Sequence, residues 1–187
     1  MTLHEKLYTA DDLWVLSGLP RFEGHQLELR GGVLVMHPVG REHGTTTLLL
    51  GSRVLAFVHM NHLGEVMTEV GHYVDKHTVY SPDIAFTSTA RLPEKSVKGY
   101  MNLMPDLAVE VKSPSNTFEE LTEKAKYYLK HGSKMVWIVY PATQTIEVFT
   151  PSDDAENPHV ETVGRDAVLQ GGDVLPGFTL PINEIFP

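Results

Sequence analysis

The stretch PDLAVEVK (residues 105–112) and the turn Ser-Pro-Ser that follows it (residues 113–115) decide how the chain is interpreted. In a β-strand, successive side chains point to opposite faces, so alternate residues share a face. The odd-numbered residues from 107 to 111 are all apolar, whereas Glu110 and Lys112 lie together on the other face. A strand at the protein surface would show the same alternation. The pattern therefore predicts a strand and leaves its role open.

A second apolar stretch, Val79–Phe86, carries Asp83 among hydrophobic residues and is also predicted to form one strand. Pro82 has no backbone N–H, which predicts that this strand lies at a sheet edge or bulges there. Two carboxylates and an ammonium group that converge on one place would bind a divalent cation and stabilise negative charge on phosphorus. Asp83, Glu110 and Lys112 are therefore the candidate catalytic residues, and the two acids are the candidate metal ligands.

The sequence of these motifs resembles that of a known family. Pro82-Asp83 followed by Glu110-Val111-Lys112 is similar to the PD-(D/E)xK nuclease signature, with the two acids 27 positions apart (110 − 83). The longer run PDLAVEVKSPSNT, the later EKAKYYLKHG and a tryptophan beyond it resemble the Uma2 family, also called DUF820, which is grouped with restriction endonucleases. Short signatures are frequent by chance, whereas the order of these motifs is specific. The resemblance extends from about Leu7 to Phe186.

This resemblance implies an α+β fold of the restriction-endonuclease type, with a mixed β-sheet core flanked by helices. It implies an endonuclease that hydrolyses phosphodiester bonds in DNA with Mg²⁺ or Mn²⁺, and a homodimer. It also implies that the Val111 carbonyl is a further metal ligand. Glu28 and Lys124 would join the catalytic residues, with His43 and Tyr128 as accessory residues.

Each of these four additional residues also has an ordinary structural interpretation. Glu28 lies between two leucines, which is typical of a solvated strand face, and His43 suits an exposed helix end. Lys124 follows Glu120 by four residues, which is typical of an exposed ion pair on a helix, stabilising by roughly 0.2–0.5 kcal/mol. Tyr128 suits a packing residue with its hydroxyl at the rim of the site. Both interpretations stay open at this point.

The remaining sequence predicts alternating helices and strands, which favours an α+β fold with a mixed sheet. Capping residues, glycines and prolines mark the element ends. The predicted helices are Thr9–Leu16, Arg41–Leu63 and Thr117–His131; the further strands are Gln26–Arg30 and Val33–His37 (a hairpin), Glu65–Val74, Met135–Tyr140, Thr145–Thr150 and Ala167–Leu169; the predicted loops are Arg91–Met104 and Ser152–Pro158.

Length and composition favour one soluble domain. The chain has 187 residues, enough for one domain with an ample core, predicted to span residues 1–187. It has no cysteine, which excludes disulfides and thiol chemistry. No apolar run approaches the ~20 residues of a membrane helix. The first six residues lack the pattern of a signal peptide, so the cytoplasm is the expected location.

The net charge of the chain leaves three possible functions open. With 15 basic and 24 acidic residues the net charge is −9, whereas proteins that bind DNA usually show a basic footprint. The first function is a Mg²⁺-dependent endonuclease. The second is a non-catalytic binding or assembly module on a nuclease scaffold, which the complete set Asp83, Glu110 and Lys112 disfavours. The third is a phosphoesterase that acts on small substrates, which the acidic charge favours.

Overall fold

The computed structural model describes residues 7–23, 25–36, 38, 40–94, 99–154 and 156–186. Residues 1–6, the predicted hairpin end His37 and residues 95–98 of the predicted loop lie outside this part. The described helices are α1 (Ala10–Ser17), α2 (Arg41–Met60) and α3 (Phe118–Lys130). The described strands are β1 (Leu27–Arg30), β2 (Val33–Met36), β3 (Gly64–Met67), β4 (His72–Asp75), β5 (Thr78–Tyr80), β6 (Ile84–Ser88), β7 (Leu107–Val111), β8 (Met135–Tyr140), β9 (Thr145–Thr150), β10 (His159–Val163), β11 (Val168–Gln170) and β12 (Thr179–Pro181).

A six-stranded sheet in the order β10-β9-β8-β7-β6-β3 forms the centre of the fold. Strand β7, the predicted central strand, pairs antiparallel with β6 and parallel with β8. The other pairs in this sheet are antiparallel, so the sheet is mixed. The predicted α+β fold with a mixed sheet and flanking helices is confirmed.

Helices α2 and α3 supply hydrophobic residues to the two faces of this sheet. Leu107, Val109 and Val111 of β7 belong to one hydrophobic core together with apolar residues of α2. Ala108 belongs to a second core with apolar residues of α3. Glu110 follows Ala108 by two residues and so lies on the same face of the sheet. Every residue of β7 is therefore buried, which excludes a strand at the surface.

Two predicted strands are wrong because each crosses from one sheet to another. The stretch Val79–Phe86 is divided into β5, in a four-stranded sheet with the order β2-β1-β5-β4, and β6, in the six-stranded sheet. The break lies at residues 81–83, where Pro82 has no N–H to offer a neighbouring strand. Strand β6 has partners on both sides, so it is not an edge. The stretch Glu65–Val74 is likewise divided into β3 and β4.

The hairpin β1–β2 forms as predicted and brings β1 towards the break. Gly31 and Gly32 have φ angles of 56° and 85°, which matches a turn that needs positive φ at both positions. Leu29 of β1 pairs with Val79 of β5, just before the break. Strand β1 therefore lies next to residues 81–83.

Most other boundaries agree with the predictions. Helix α3 begins with the predicted capping box, in which the Thr117 hydroxyl accepts from the Glu120 N–H and the Glu120 carboxylate accepts from the Thr117 N–H. Helix α2 ends three residues earlier than predicted (63 − 60), and strands β10 and β12 were not predicted. Within the described ranges, no helix has both the length and the hydrophobicity to span a membrane.

A buried ion-pair network holds the start of β7. Asp106 is 1% exposed, and its Oδ2 accepts a hydrogen bond of 2.8 Å from the Ser88 N–H at the end of β6. Its Oδ1 lies 2.8 Å from Lys134 Nζ and 3.1 Å from Arg91 Nη1. Burial alone would raise the pKa of Asp106, but these partners lower it to about 2.

We expect Asp106→Asn to destabilise the protein in a pH-dependent way. The lowered pKa means that the ionised carboxylate contributes up to roughly 2 kcal/mol to the free energy of unfolding above the unfolded-state pKa. This contribution is lost as the pH falls through the folded-state pKa. Urea titrations of both proteins should therefore show a large difference at pH 7 that shrinks between pH 4 and pH 2. A difference that stays constant over this range would contradict the assignment.

Candidate active site

A cavity of about 20 Å³ lies where β1, residues 81–83, β7, α2 and α3 meet. This volume is close to that of one water molecule. The predicted site residues that line the cavity are Glu28, His43, Asp83, Glu110, Val111 and Lys124. Six residues that are as far as 96 positions apart in sequence (124 − 28) are thus brought to one place.

The ammonium group of Lys124 lies between two buried carboxylates. Lys124 Nζ donates a hydrogen bond of 2.7 Å to Glu28 Oε1 and one of 2.8 Å to Glu110 Oε2. Lys124 is 4% exposed, so the interpretation as a surface pair with Glu120 is wrong. Burial alone would lower the pKa of Lys124, but the charges of Glu110 and Glu28 raise it, so the lysine stays protonated.

Glu110 is also held by Tyr128. The Tyr128 hydroxyl donates a hydrogen bond of 2.7 Å to Glu110 Oε1. Tyr128 is fully buried, so its hydroxyl does not lie at the rim as the packing interpretation expected. Burial raises the pKa of Glu110 to about 7; Lys124 opposes this shift, whereas the charges of Asp83 and Glu28 reinforce it.

Glu28 is buried on β1 and is not on a solvated face. Its Oε1 accepts a hydrogen bond of 3.1 Å from the Ser81 N–H, and its Oε2 accepts one of 3.1 Å from Arg30. Burial alone would raise the pKa of Glu28, but Lys124 and Arg30 lower it. Glu28 therefore joins the four-stranded sheet to α3 as a carboxylate.

Asp83 follows Pro82 and is held from two sides. Its Oδ2 accepts a hydrogen bond of 2.7 Å from the Val111 N–H at the end of β7. His43 Nε2, at the start of α2, lies 3.1 Å from the same oxygen and must carry the proton of that bond. Burial alone would lower the pKa of His43, but Asp83 raises it. His43 is buried, which excludes its interpretation as an exposed residue.

Lys112 does not join this cluster, although the strand pattern places it on the face of Glu110. Strand β7 ends at Val111, so the alternation of faces does not extend to Lys112. Lys112 Nζ donates a hydrogen bond of 3.2 Å to the Ser113 carbonyl and lies 5.4 Å from the centre of the Phe118 ring. The lysine that contacts the acids of the cavity is Lys124.

Sequence reasoning missed other residues of the site. Arg30 and Gln26 lie two positions from Glu28 on either side, so the period of two could have identified both. Gln26 Nε2 donates a hydrogen bond of 2.9 Å to the Ser81 carbonyl. Asn116 accepts a hydrogen bond of 2.7 Å from the Ser113 hydroxyl, which shapes the turn after β7. The run Ser-Pro-Ser-Asn was the available signal for this turn.

The described residues include no group of three or more His, Asp and Glu side chains arranged to hold a metal ion. The Lys124 ammonium lies between Glu28 and Glu110. Asp83 and Glu110 are therefore the pair of acids in the cavity that is not bridged by this lysine. Mg²⁺ is commonly bound through one or two carboxylates and keeps several waters. A site with two acids therefore suits this cation.

We expect Lys124→Met to destabilise the protein strongly. Removing one partner of a buried charge cluster leaves the other charges uncompensated, which costs about 3–5 kcal/mol. Urea unfolding at pH 7.5 measures this loss. Lys130→Met is the matched control, since it removes an exposed lysine from the same helix, and it should leave the midpoint nearly unchanged.

Glu28→Gln in the Lys124→Met background should restore part of this stability, because it removes one of the two carboxylates that Lys124 compensates in the wild type. Equal destabilisation by Lys124→Met and Lys130→Met would contradict the structural role of Lys124.

Comparison with known proteins agrees with this fold. The model of the family Uma2, described as "Putative restriction endonuclease", matches residues 16–183. The chain is similar to the crystal structure of "a putative nuclease belonging to DUF820" from Anabaena variabilis ATCC 29413, with a TM-score of 0.78 and 23% sequence identity over 95% of this chain and 97% of that chain. At this identity the likeness shows the fold alone. No curated protein matches the chain. Since the family model covers most of the sequence, the protein belongs to the Uma2 family.

Proposed function

We propose that this protein is a metal-dependent endonuclease that hydrolyses phosphodiester bonds in DNA. The observation that carries the proposal is the arrangement of Asp83, Glu110 and Lys124 around one cavity. Hydrolysis of a phosphodiester needs an activated water and neutralised charge on the phosphoryl oxygens. Two acids for a cation and a fixed ammonium group meet these needs.

The donor set suits Mg²⁺ or Mn²⁺. Asp83 Oδ1 accepts no hydrogen bond from the described residues, because His43 and Val111 both donate to Oδ2. Asp83 and Glu110 would hold the ion, and the Val111 carbonyl is proposed as the third protein ligand. When bound, such an ion lowers the pKa of a water and neutralises phosphoryl charge.

The chain itself contributes a positioned ammonium group. Lys124 Nζ is fixed by two carboxylates, so a phosphoryl oxygen that approaches it would meet a positive charge already in place. In this proposal Lys124 has the role that the signature assigns to Lys112. Glu28 positions Lys124, Tyr128 fixes Glu110, and His43 fixes Asp83.

A phosphoesterase that acts on small substrates is the second candidate. The charge of −9 favours it, because an acidic protein suits a small substrate better than a duplex gripped along its backbone. A non-catalytic module has less support, since the ion pairs of Lys124 join the sheets without any need for Asp83, whose charge raises the pKa of Glu110 and so disfavours its ionised form. A cytoplasmic location and a homodimer, which would cut both strands, remain part of the proposal.

We expect the protein to nick or linearise plasmid DNA with Mg²⁺ or Mn²⁺, and Asp83→Asn to lower the rate by more than roughly 100-fold. The substitution keeps the volume and removes the charge of a proposed ligand. Asp173→Asn, at an exposed aspartate, is the matched control and should cut like the wild type. Agarose gels with metal and with EDTA measure the rates.

A small phosphodiester assayed in parallel separates the two candidates. Cleavage of plasmid above cleavage of the small ester supports the endonuclease, and the reverse result supports the phosphoesterase. Plasmid cleavage that persists in Asp83→Asn would overturn the assignment of the site.

A further inference from the structure

A second cavity, of about 240 Å³, adjoins the candidate active site. Ser113 lines both this cavity and the active-site cavity, so the two are neighbours. Its lining includes Glu42, Lys112, Phe118 and Tyr140. Its walls are thus mainly aromatic and apolar, with one ammonium group and one carboxylate. None of the roles proposed above uses this cavity.

Phe118 presents an exposed aromatic surface in this cavity. It is the first residue of α3 and is 57% exposed. Its ring lies 5.2 Å from the Tyr140 ring at an interplanar angle of 32°. Tyr140 is itself fixed, because its hydroxyl donates a hydrogen bond of 2.7 Å to Glu147. The ring of Phe118 therefore packs against a fixed ring and keeps more than half of its surface exposed.

Lys112 supplies a positive charge next to this ring. Its Nζ lies over the Phe118 ring, 5.4 Å from the ring centre, and donates a hydrogen bond to the Ser113 carbonyl. An ammonium group has three donors, so two remain for a ligand. An aromatic face beside an ammonium group matches the two parts of a nucleotide, the flat base and the charged phosphate.

We propose that this cavity binds an unpaired nucleobase stacked on Phe118, with the neighbouring phosphate held by Lys112. The inference rests on the proposed function, because it places the scissile phosphodiester in the adjoining cavity. Bases paired in a duplex cannot stack on a protein ring unless they leave the helix. The substrate class is therefore DNA with an unpaired base beside the cut site, either in a single strand or flipped out of a duplex.

The charges of the protein agree with this occupant. With a net charge of −9, neutralisation of many phosphates cannot supply most of the affinity. Stacking on an aromatic ring does not depend on net charge and tolerates any base. Glu42 would repel a phosphate, whereas its carboxylate can accept a hydrogen bond from the amino group of a base. The base therefore belongs on the Glu42 side, and the phosphate belongs at Lys112.

We expect substitutions of Phe118 to weaken the binding of a fluorescein-labelled single-stranded 12-mer, measured by anisotropy in EDTA so that no cleavage occurs. Phe118→Ala and Phe118→Leu should raise Kd on the order of 10- to 100-fold, because both remove the aromatic face. Phe118→Trp keeps that face and should retain affinity. Leu48→Ala, at an apolar residue of α2 that is 73% exposed, is the control and should bind like the wild type.

An abasic scan of the oligonucleotide locates the stacked base. Removing that base should weaken wild-type binding and leave Phe118→Ala binding unchanged, since the partner ring is already absent. A duplex of the same sequence should bind more weakly than the single strand. Equal affinity of Phe118→Ala, Phe118→Leu and the wild type would overturn the proposal. It would also be overturned if, at every position, removing the base weakened binding of Phe118→Ala as much as binding of the wild type. Melting temperatures check that each variant is folded.

Lys112→Gln tests the phosphate contact. Loss of one contact to a single strand should lower the slope of log K against log salt by about 0.7. Lys130→Gln, at an exposed lysine paired with Glu156 on α3, should leave the slope unchanged. An unchanged slope for Lys112→Gln would contradict the proposed contact between Lys112 and a phosphate.

The binding experiment and the cleavage experiment test the two proposals independently. Binding that depends on Phe118 in a protein without nuclease activity would refute the proposed function and keep the base-binding site. Cleavage by a protein whose Phe118 variants bind like the wild type would keep the function and refute the base-binding site.

Discussion

The fold and the candidate site both depend on one interaction, the ammonium group of Lys124 between the carboxylates of Glu28 and Glu110. Glu28 belongs to the four-stranded sheet, Glu110 to the six-stranded sheet and Lys124 to α3. One buried cation therefore joins three parts of the structure. Without it, the two buried carboxylates would lose the cation that lies between them, and buried charges that lose their compensation are costly. The same arrangement that holds the sheets together also fixes the acid and the lysine of the site.

This construction makes the site rigid before any ligand is bound. Glu110 is held by Lys124 and Tyr128, and Asp83 is held by His43 and by the backbone of Val111. The bond from the Val111 N–H matters most, because it joins Asp83 directly to the strand that carries Glu110. The separation of the two acids is thus set by main-chain geometry. Rigid placement of charges is the main way in which enzymes stabilise charge that develops during reaction.

The sequence predicted the elements well and the direction of some side chains poorly. The alternation of side chains between the two faces of a strand correctly assigned Leu107, Val109 and Val111 to one face of β7, because these residues all lie within the strand. It failed for Lys112, since the strand ends one residue earlier and the chain then turns. Lys124 could have been predicted to be buried, because Leu121, Ala125 and Tyr128 mark the inner stripe of α3 and Lys124 lies within it. The crossing between sheets at residues 81–83 depends on partners distant in sequence, and Pro82 was its one local sign.

An acidic protein can act on nucleic acid if its cations are concentrated where the substrate lies. Arg30 and Lys124 contact the carboxylates of the site, and Lys112 stands beside the adjoining cavity. The remaining surface, with its excess of acidic residues, repels a polyanion and so weakens binding away from the site. Such a distribution reduces the nonspecific affinity that a basic surface would give for any duplex. Under the proposed function, selectivity would come from the few places where an aromatic ring, a cation and the two acids lie together, and DNA without an unpaired base could not use all of them.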